Sequence, residues 1–343
     1  MEGLVKDSKK RFTEIDCLRG IAIILVVIGH SFFDKTDFLP QSVIFNAIYN
    51  FHMPLFFAIS GFCFINYAGA GVLNFFKKKL IRILVPYLFL AFFSLFGKYM
   101  LPNIAKNSYS LENWWHILLG IPPMGPLWFL WSLFAVMLIY SVAFFKNKKI
   151  NYFIVLPVSL ALLLFYPLTG GALEGVLKVF RYQFYFLIGL FLRERYKGIK
   201  DFVSGIKDIY KIIVSFISIS IIILIALFNP FLKLNSVATI VLSTVFGVVG
   251  LYILSCYISK TKAAKIFTEL SEYSMDIYIL SYFVVLVLEI IYRKIDTNVP
   301  YIYWTMVIAC VICGLVIPYF VSKYIVRKIP IVRTLVLGYL PVK

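Results

Sequence analysis

Residues 14–30 read Glu14-Ile-Asp16-Cys-Leu-Arg19-Gly-Ile-Ala-Ile-Ile-Leu-Val-Val-Ile-Gly-His30. The centre of this stretch is an unbroken apolar run, and both ends carry polar groups. A helix rises about 1.5 Å per residue, and about 20 apolar residues cross the hydrocarbon core of a bilayer. The stretch therefore predicts a membrane-crossing helix. The same kind of run recurs along the chain. Read by length, it predicts ten spans, at roughly 14–33, 44–66, 80–100, 127–145, 150–167, 177–193, 209–229, 236–258, 273–292 and 302–322. Composition agrees: of 343 residues 62% are apolar and only 15% charged, and the mean hydropathy is +0.91. A soluble domain is about 45–50% apolar and roughly 25% charged. An ordinary soluble globule, a disordered chain and a disulfide scaffold are thereby excluded. In lipid only helices and closed barrels satisfy their own backbone. A barrel alternates polar and apolar residues in segments of about ten, whereas Ile217–Phe228 and Val237–Cys256 are long apolar runs. The expectation is an all-α polytopic membrane protein, forming one transmembrane domain over 1–343. Neither a cleavable signal nor a soluble domain is expected at either end.

The net charge of +18 raises the question of nucleic acid. Its distribution answers it. With the N-terminus in the cytosol, ten spans place 25 of the 34 Lys and Arg on the inner side and seven on the outer side, with Arg19 and Arg181 within spans. That is the positive-inside pattern of a membrane protein with both termini cytosolic. An odd number of spans breaks the alternation. The basicity reads as topology, so no nucleic-acid partner is expected. Cys310-x-x-Cys313 has redox-like spacing, but without a second pair or nearby histidines it reads as two packed small residues. No metal site is expected.

Ionisable groups inside spans are costly and are functional candidates by default. Arg19 and His30 stand eleven residues apart, three helical turns and about 20°, so they share one face. Along the axis they are roughly 16 Å apart. A guanidinium low in the membrane can hold phosphate, and an imidazole above it can act as a general base. Coenzyme A matches that shape, with phosphates at one end and a thioester at the other. The plainer reading has Arg19 and His30 reaching to opposite membrane surfaces.

The second span contains Phe51-His52-Met53-Pro54-Leu55-Phe56-Phe57-Ala58-Ile59-Ser60-Gly61-Phe62. Pro54 is expected to kink it. Ser60-Gly61 permits a close helix or ligand. His52 reads equally as a ligand contact or a hydrogen-bonded core residue. Lys79 and Arg82, three apart at the start of the third span, share a face; they read as a phosphate site with Arg19 or as a plain topology anchor. Trp128 at an outer boundary is an aromatic anchor or a sugar platform. Arg181, followed by Tyr182-Gln183, opens the outer half of the sixth span as a substrate contact or an interfacial group. His116 is expected to face solvent. Asp276 is read as a helix cap or salt-bridge partner, and Asp34 either orients His30 or faces solvent.

As a set, these motifs resemble the membrane-bound acyltransferase-3 family. Asp16-x-x-Arg19-Gly20 with His30 is similar to its first-span signature. Phe51–Phe57 with Ser60-Gly61-Phe62 is similar to its second span, and Lys79-x-x-Arg82 with Pro86 to the basic pair entering its third. Leu127-Trp128-Phe129-Leu130 and Tyr273-Ser274-x-x-Ile277-Tyr278 resemble two later motifs. The resemblance implies an O-acyltransferase that takes an acyl group, commonly acetyl, from cytosolic acyl-CoA (acetyl-CoA) to a hydroxyl of an extracytoplasmic or lipid-linked glycan. It implies a catalytic His30, with Arg19 and Arg82 as the phosphate contacts of CoA; Lys79 is a further candidate CoA contact, and His52, Ser60, Trp128 and Arg181 are the candidates for substrate contact. The expected location is the plasma (inner) membrane, with membrane lipid as a further partner. Two departures stand out: Lys79 replaces a usual arginine, and Ser281 stands where many members carry histidine. Some members also carry an esterase-like domain, for which this chain is too short. A transporter or flippase for a glycan or lipid-linked sugar is the alternative. It is weakened by the lack of a repeat between 1–170 and 171–343.

Overall fold

The structure is a computed structural model that describes residues 11–32, 39–64, 72–100, 111–147, 151–165, 173–232, 236–295 and 299–339. Asp34 lies outside them. Among the described residues there is no strand, and the protein is an all-α polytopic membrane protein. In chain order the helices are α1 (Thr13–His30), α2 (Leu39–Tyr49), α3 (His52–Phe64), α4 (Val72–Lys79), α5 (Val85–Met100), α6 (Trp128–Asn147), α7 (Tyr152–Phe165), α8 (Glu174–Glu194), α9 (Tyr196–Gly205), α10 (Asp208–Leu232), α11 (Ser236–Ile258), α12 (Ala264–Glu272), α13 (Ser274–Ile295), α14 (Pro300–Tyr324) and α15 (Pro330–Leu337).

Each of the ten expected spans contains helix. Among the described residues, eight helical stretches are long and apolar enough to cross a membrane. The other two expected spans fall on α1 and α7. Glu14, Asp16 and Arg19 make α1 too charged for a composition test, and α7 has 14 residues, about 21 Å of helix. The second span is built from α2 and α3, which meet at Asn50-Phe51. Pro54, which has no N–H to give to the carbonyl of Asn50, explains the break four residues upstream. In the third span a π-turn, Leu80–Leu84, joins α4 to α5. Pro86 follows it, again without a donor for the carbonyl four residues back, and the wider turn takes up the mismatch.

The described chain divides into two compact units. One takes Cys63–Ile188 and the chain from Lys323. Its core includes Tyr87, buried and donating to the carbonyl of Ile117 at 2.5 Å. It also buries a polar knot: Tyr140 and Ser159 both donate to Gln183 Oε1, at 2.8 and 2.9 Å. A buried amide needs such partners.

The other unit takes the chain up to Phe62 and Gly189–Ser322. Here α12 packs along α1, and a Cβ on Gly20 would collide with the backbone of Phe267. Only glycine allows that approach. Buried Tyr292, Tyr303, Val307 and Cys310 form a cluster where α13 meets α14, with Phe32 and Trp304 packed against it. Both halves of the Cys-x-x-Cys pair are free thiols, Cys310 buried and Cys313 half-buried. Asp276, in the first turn of α13, is fully buried and accepts a hydrogen bond from Ser322 Oγ at 2.5 Å.

Candidate active site

The unit that contains α1 holds two polar centres, one at each end of that helix. His30 is its last residue. Tyr49, the last residue of α2, brings its hydroxyl to 3.2 Å from His30 Nδ1, with the two rings edge to face at 6.1 Å. Phe45 stacks on Tyr49 at 3.9 Å and holds the phenol in place. His52 opens α3 with its ring 4.9 Å from that of Tyr49. Its Nδ1–H donates to the carbonyl of Ile48 at 2.8 Å. A carbonyl can only accept, so the lone pair of His52 lies on Nε2. His30, Tyr49 and His52 thus form one imidazole–phenol–imidazole cluster, and His52 is nearly fully buried. When Nδ1–H of His30 donates to Tyr49, the lone pair of His30 also stands on Nε2, ready to take a proton. Tyr49 was passed over in the sequence. Its spacing of three before His52 was the available signal, but its contact with His30 spans two helices.

At the other end of α1, Asp16 gathers cations. Arg11 Nε donates to its carboxylate at 2.7 Å, and Arg19 Nη1 stands 4.0 Å away. The Asp16 carboxylate raises the affinity of the Arg11 guanidinium for its proton, first through the hydrogen bond and then through charge. Beside them Glu14, almost completely buried, accepts from Tyr196 and pairs with Lys200 at 2.7 Å. Burial and the bond to Glu14 push the Tyr196 phenol above its ordinary range, so it remains a neutral donor. Arg193 lies against the Phe12 ring at 4.1 Å. Arg19 is half-buried within this charged end, and the unbroken α1 carries it on the face that His30 ends. A cavity of about 260 Å³ adjoins the same half of α1, walled by Ile15, Leu18, Ala58, Phe62, Val203 and Tyr252 among others. Its walls are hydrocarbon and suit no phosphate. Ser60 is half-buried on α3; eight residues, about 12 Å, beyond His52, it stands outside the imidazole cluster.

The remaining candidates belong to the other unit. Lys79 and Arg82 take different partners. Lys79 Nζ lies 5.6 Å from the Phe75 ring. Arg82, in the π-turn, donates to the carbonyl of Leu337 at 2.9 Å and stacks on Tyr339 at 3.7 Å. The extra residue of a π-turn rotates Arg82 relative to Lys79, so α-helical spacing no longer pairs them. Trp128 and Arg181 are brought together through Tyr182. The Trp128 and Tyr182 rings lie 5.0 Å apart, and the Arg181 guanidinium is 5.7 Å from Tyr182. Lys178 Nζ sits 5.0 Å from the Trp128 ring and pairs with Glu174 at 2.6 Å. His116 is half-buried against Trp115, ring centres 4.0 Å apart, rather than facing solvent as expected. Ser281 is buried. Among the described residues no three His, Cys, Asp or Glu side chains converge as a metal site.

Comparison with known proteins adds a family. A family model described as an acyltransferase domain matches residues 12–323. A nodulation protein, NolL, of Mesorhizobium japonicum is 29% identical over 194 residues, 54% of this chain and 48% of the relative. NolL of Sinorhizobium fredii is 38% identical over 92 residues, 24% of each chain. This chain thus spans about half the length of the first relative and a quarter of the second. No solved structure matches it significantly.

Proposed function

The chain belongs to this family of acyltransferase domains, and from that premise we propose that it moves an acyl group, acetyl in the first instance, from cytosolic acyl-CoA to a hydroxyl of an extracytoplasmic or lipid-linked glycan. We place it in the plasma membrane and take residues 1–343 as one working transmembrane domain. The observation that carries the reading is α1: one unbroken helix with a guanidinium and an imidazole eleven residues apart on one face.

The chemistry follows from those groups. Arg19, Lys79 and Arg82 are each proposed as phosphate contacts of the donor, the guanidiniums by their planar fork and Lys79 as a point charge. The pantetheine arm runs along α1 and brings the thioester toward His30. His30 Nε2 takes the proton of the acceptor hydroxyl as its oxygen attacks the thioester carbonyl. The tetrahedral oxyanion collapses, the C–S bond breaks, and the imidazolium returns the proton to the departing thiolate. The products are the O-acyl ester and CoA-SH. Tyr49, hydrogen-bonded to Nδ1, fixes the ring and supports its positive charge. His52 and Ser60, and the Trp128–Tyr182–Arg181 group with its aromatic faces, are the proposed acceptor contacts.

Surface glycans from cells carrying His30→Ala at normal expression, analysed by mass spectrometry, test the reading. The expected result is loss of the acyl ester; undiminished acylation removes His30 from the mechanism. Binding of acyl-CoA by the purified protein separates this reading from a transporter.

A further inference from the structure

The hydrocarbon-walled cavity beside α1 is a feature that the reaction scheme does not use. Four helices of one unit, α1, α3, α9 and α11, enclose it together with Leu192 near the end of α8. On α3 its wall runs from Leu55, which is fully buried, to Phe62. Seven residues of helix make about 10 Å, two thirds of the roughly 15 Å of hydrocarbon in one leaflet. On α9 the wall is the apolar side of an amphipathic helix, where Tyr196, Ile199 and Val203 fall within about 60° of one another. Two wall residues reach the surface: Phe202 of α9 is 75% exposed and Val249 of α11 is 45% exposed. Val249 lies nine residues, about 13 Å, inside the nearer end of a helix long and apolar enough to cross a membrane. The cavity therefore opens sideways, toward lipid.

The walls select the occupant. The cavity's volume is about 260 Å³, whereas a dry apolar cavity of roughly 150 Å³ already takes benzene. Water held there would lack the polar partners that an ordered molecule needs. A pantetheine arm would leave its amides unpaired. A hydrocarbon chain gives up no hydrogen bond, and it reaches the opening from the bilayer itself. Charge beside the cavity selects what the chain is attached to. Residues 193–207, from the end of α8 through α9, hold five Lys or Arg and two Asp or Glu. Arg195 and Lys197 flank the wall residue Tyr196; both are exposed, and neither makes an ion pair among the described residues. Exposed cations at a membrane surface attract anionic lipid headgroups.

We propose that this cavity is a lipid site. One acyl chain of an anionic glycerophospholipid lies along α3 between α1 and α11, and the headgroup phosphate rests against Arg195 and Lys197. The inference rests on the membrane fold and not on the acyl-transfer reading. A chain seated there completes the packing around α1 and α3, the helices that carry His30 and His52.

The full chain is purified in mild detergent and its bound lipid identified by native mass spectrometry. It is then placed in nanodiscs of phosphatidylcholine, with or without phosphatidylglycerol, for thermal melts. Wild type is expected to keep one anionic phospholipid per chain and to melt higher when phosphatidylglycerol is present. Val248 is a half-buried wall residue. Val248→Phe fills the cavity with a ring and is expected to lose both the bound lipid and the lipid-dependent rise in midpoint, while still melting cooperatively. Arg195→Gln combined with Lys197→Gln changes only exposed side chains, so it decides the matter even where the cavity variant does not fold. This pair is expected to weaken phosphatidylglycerol binding roughly thirtyfold and to leave phosphatidylcholine binding unaffected. A wild-type protein that carries no phospholipid, a folded Val248→Phe protein that keeps it, or a double variant with the wild-type preference for anionic lipid overturns the inference. So does recovery of an acyl-CoA, a polyprenyl phosphate or a peptide in place of phospholipid.

Discussion

At position 30 an imidazole ends a membrane helix, and a phenol stands 3.2 Å from its Nδ1. Its counterpart at position 52 has a carbonyl in the same role. The difference bears on the role proposed for His30. A carbonyl fixes the proton on His52 Nδ1 outright, whereas a phenol accepts or donates, so the His30 ring is held without its proton being committed. A base must gain and lose a proton in one turnover, and His30 is the ring with a partner that follows both states. Removing the phenol oxygen should therefore cost activity without costing fold. In Tyr49→Phe, kcat is expected to fall by about three- to tenfold, the worth of one neutral hydrogen bond, with KM for acyl-CoA unchanged. A thermal melt of the purified variant checks that the fold is intact. His30→Ala is expected to lose about 10²–10⁴-fold, the usual contribution of a general base. A Tyr49→Phe protein with full kcat removes the phenol from the mechanism.

At the scale of the helix, α1 is an element with two obligations. Its polar face must present Arg19 and His30, and the adjoining side, about 100° round from Arg19, must let α12 approach at Gly20. A span search by apolar length finds α1 through its centre, but it passes over α9, α12 and α15. Each of those has ten residues or fewer and is amphipathic, a pattern that satisfies helix periodicity without being apolar enough to count as a span. The segments read as charged loops are thus partly helical, and one of them builds the wall behind α1. Gly20→Val tests this packing. The larger side chain must push α12 away, and overpacking of this kind costs about 1–3 kcal/mol. The expected outcome is a lower unfolding midpoint of the purified protein, together with lower activity per mole. A variant with an unchanged midpoint shows that α12 does not need the contact.

Over the whole molecule, charge asymmetry and helix count make one claim about topology, and α1 and α7 are the elements that bear on it. Both must cross for ten spans to alternate, yet one is charged and the other is about 21 Å long. Single cysteines placed at Glu112 and Lys197, in a background without the five native ones, check it. A membrane-impermeant thiol reagent added outside the cells is expected to label position 112 and to leave 197 unlabelled until the membrane is opened. Labelling of 197 from outside means that α7 does not cross.

The helical, membrane-spanning kind of the elements and the spacing of Arg19 and His30 along one unbroken helix were written in the sequence, because apolar length and the 100° step of a helix are local or additive properties. The partners of those residues were not. Tyr49 meets His30 across a helix boundary, and the carbonyl that anchors Arg82 lies 255 residues away. Lys79 and Arg82 were read as sharing one face, as a phosphate site or a topology anchor; a π-turn ahead of Pro86 now carries Arg82, which stacks on Tyr339, while Lys79 lies by the Phe75 ring. Contacts of this kind depend on which backbone groups a proline frees and where a glycine lets chains approach. Spacing along the chain carries no record of that, and only packed helices decide it.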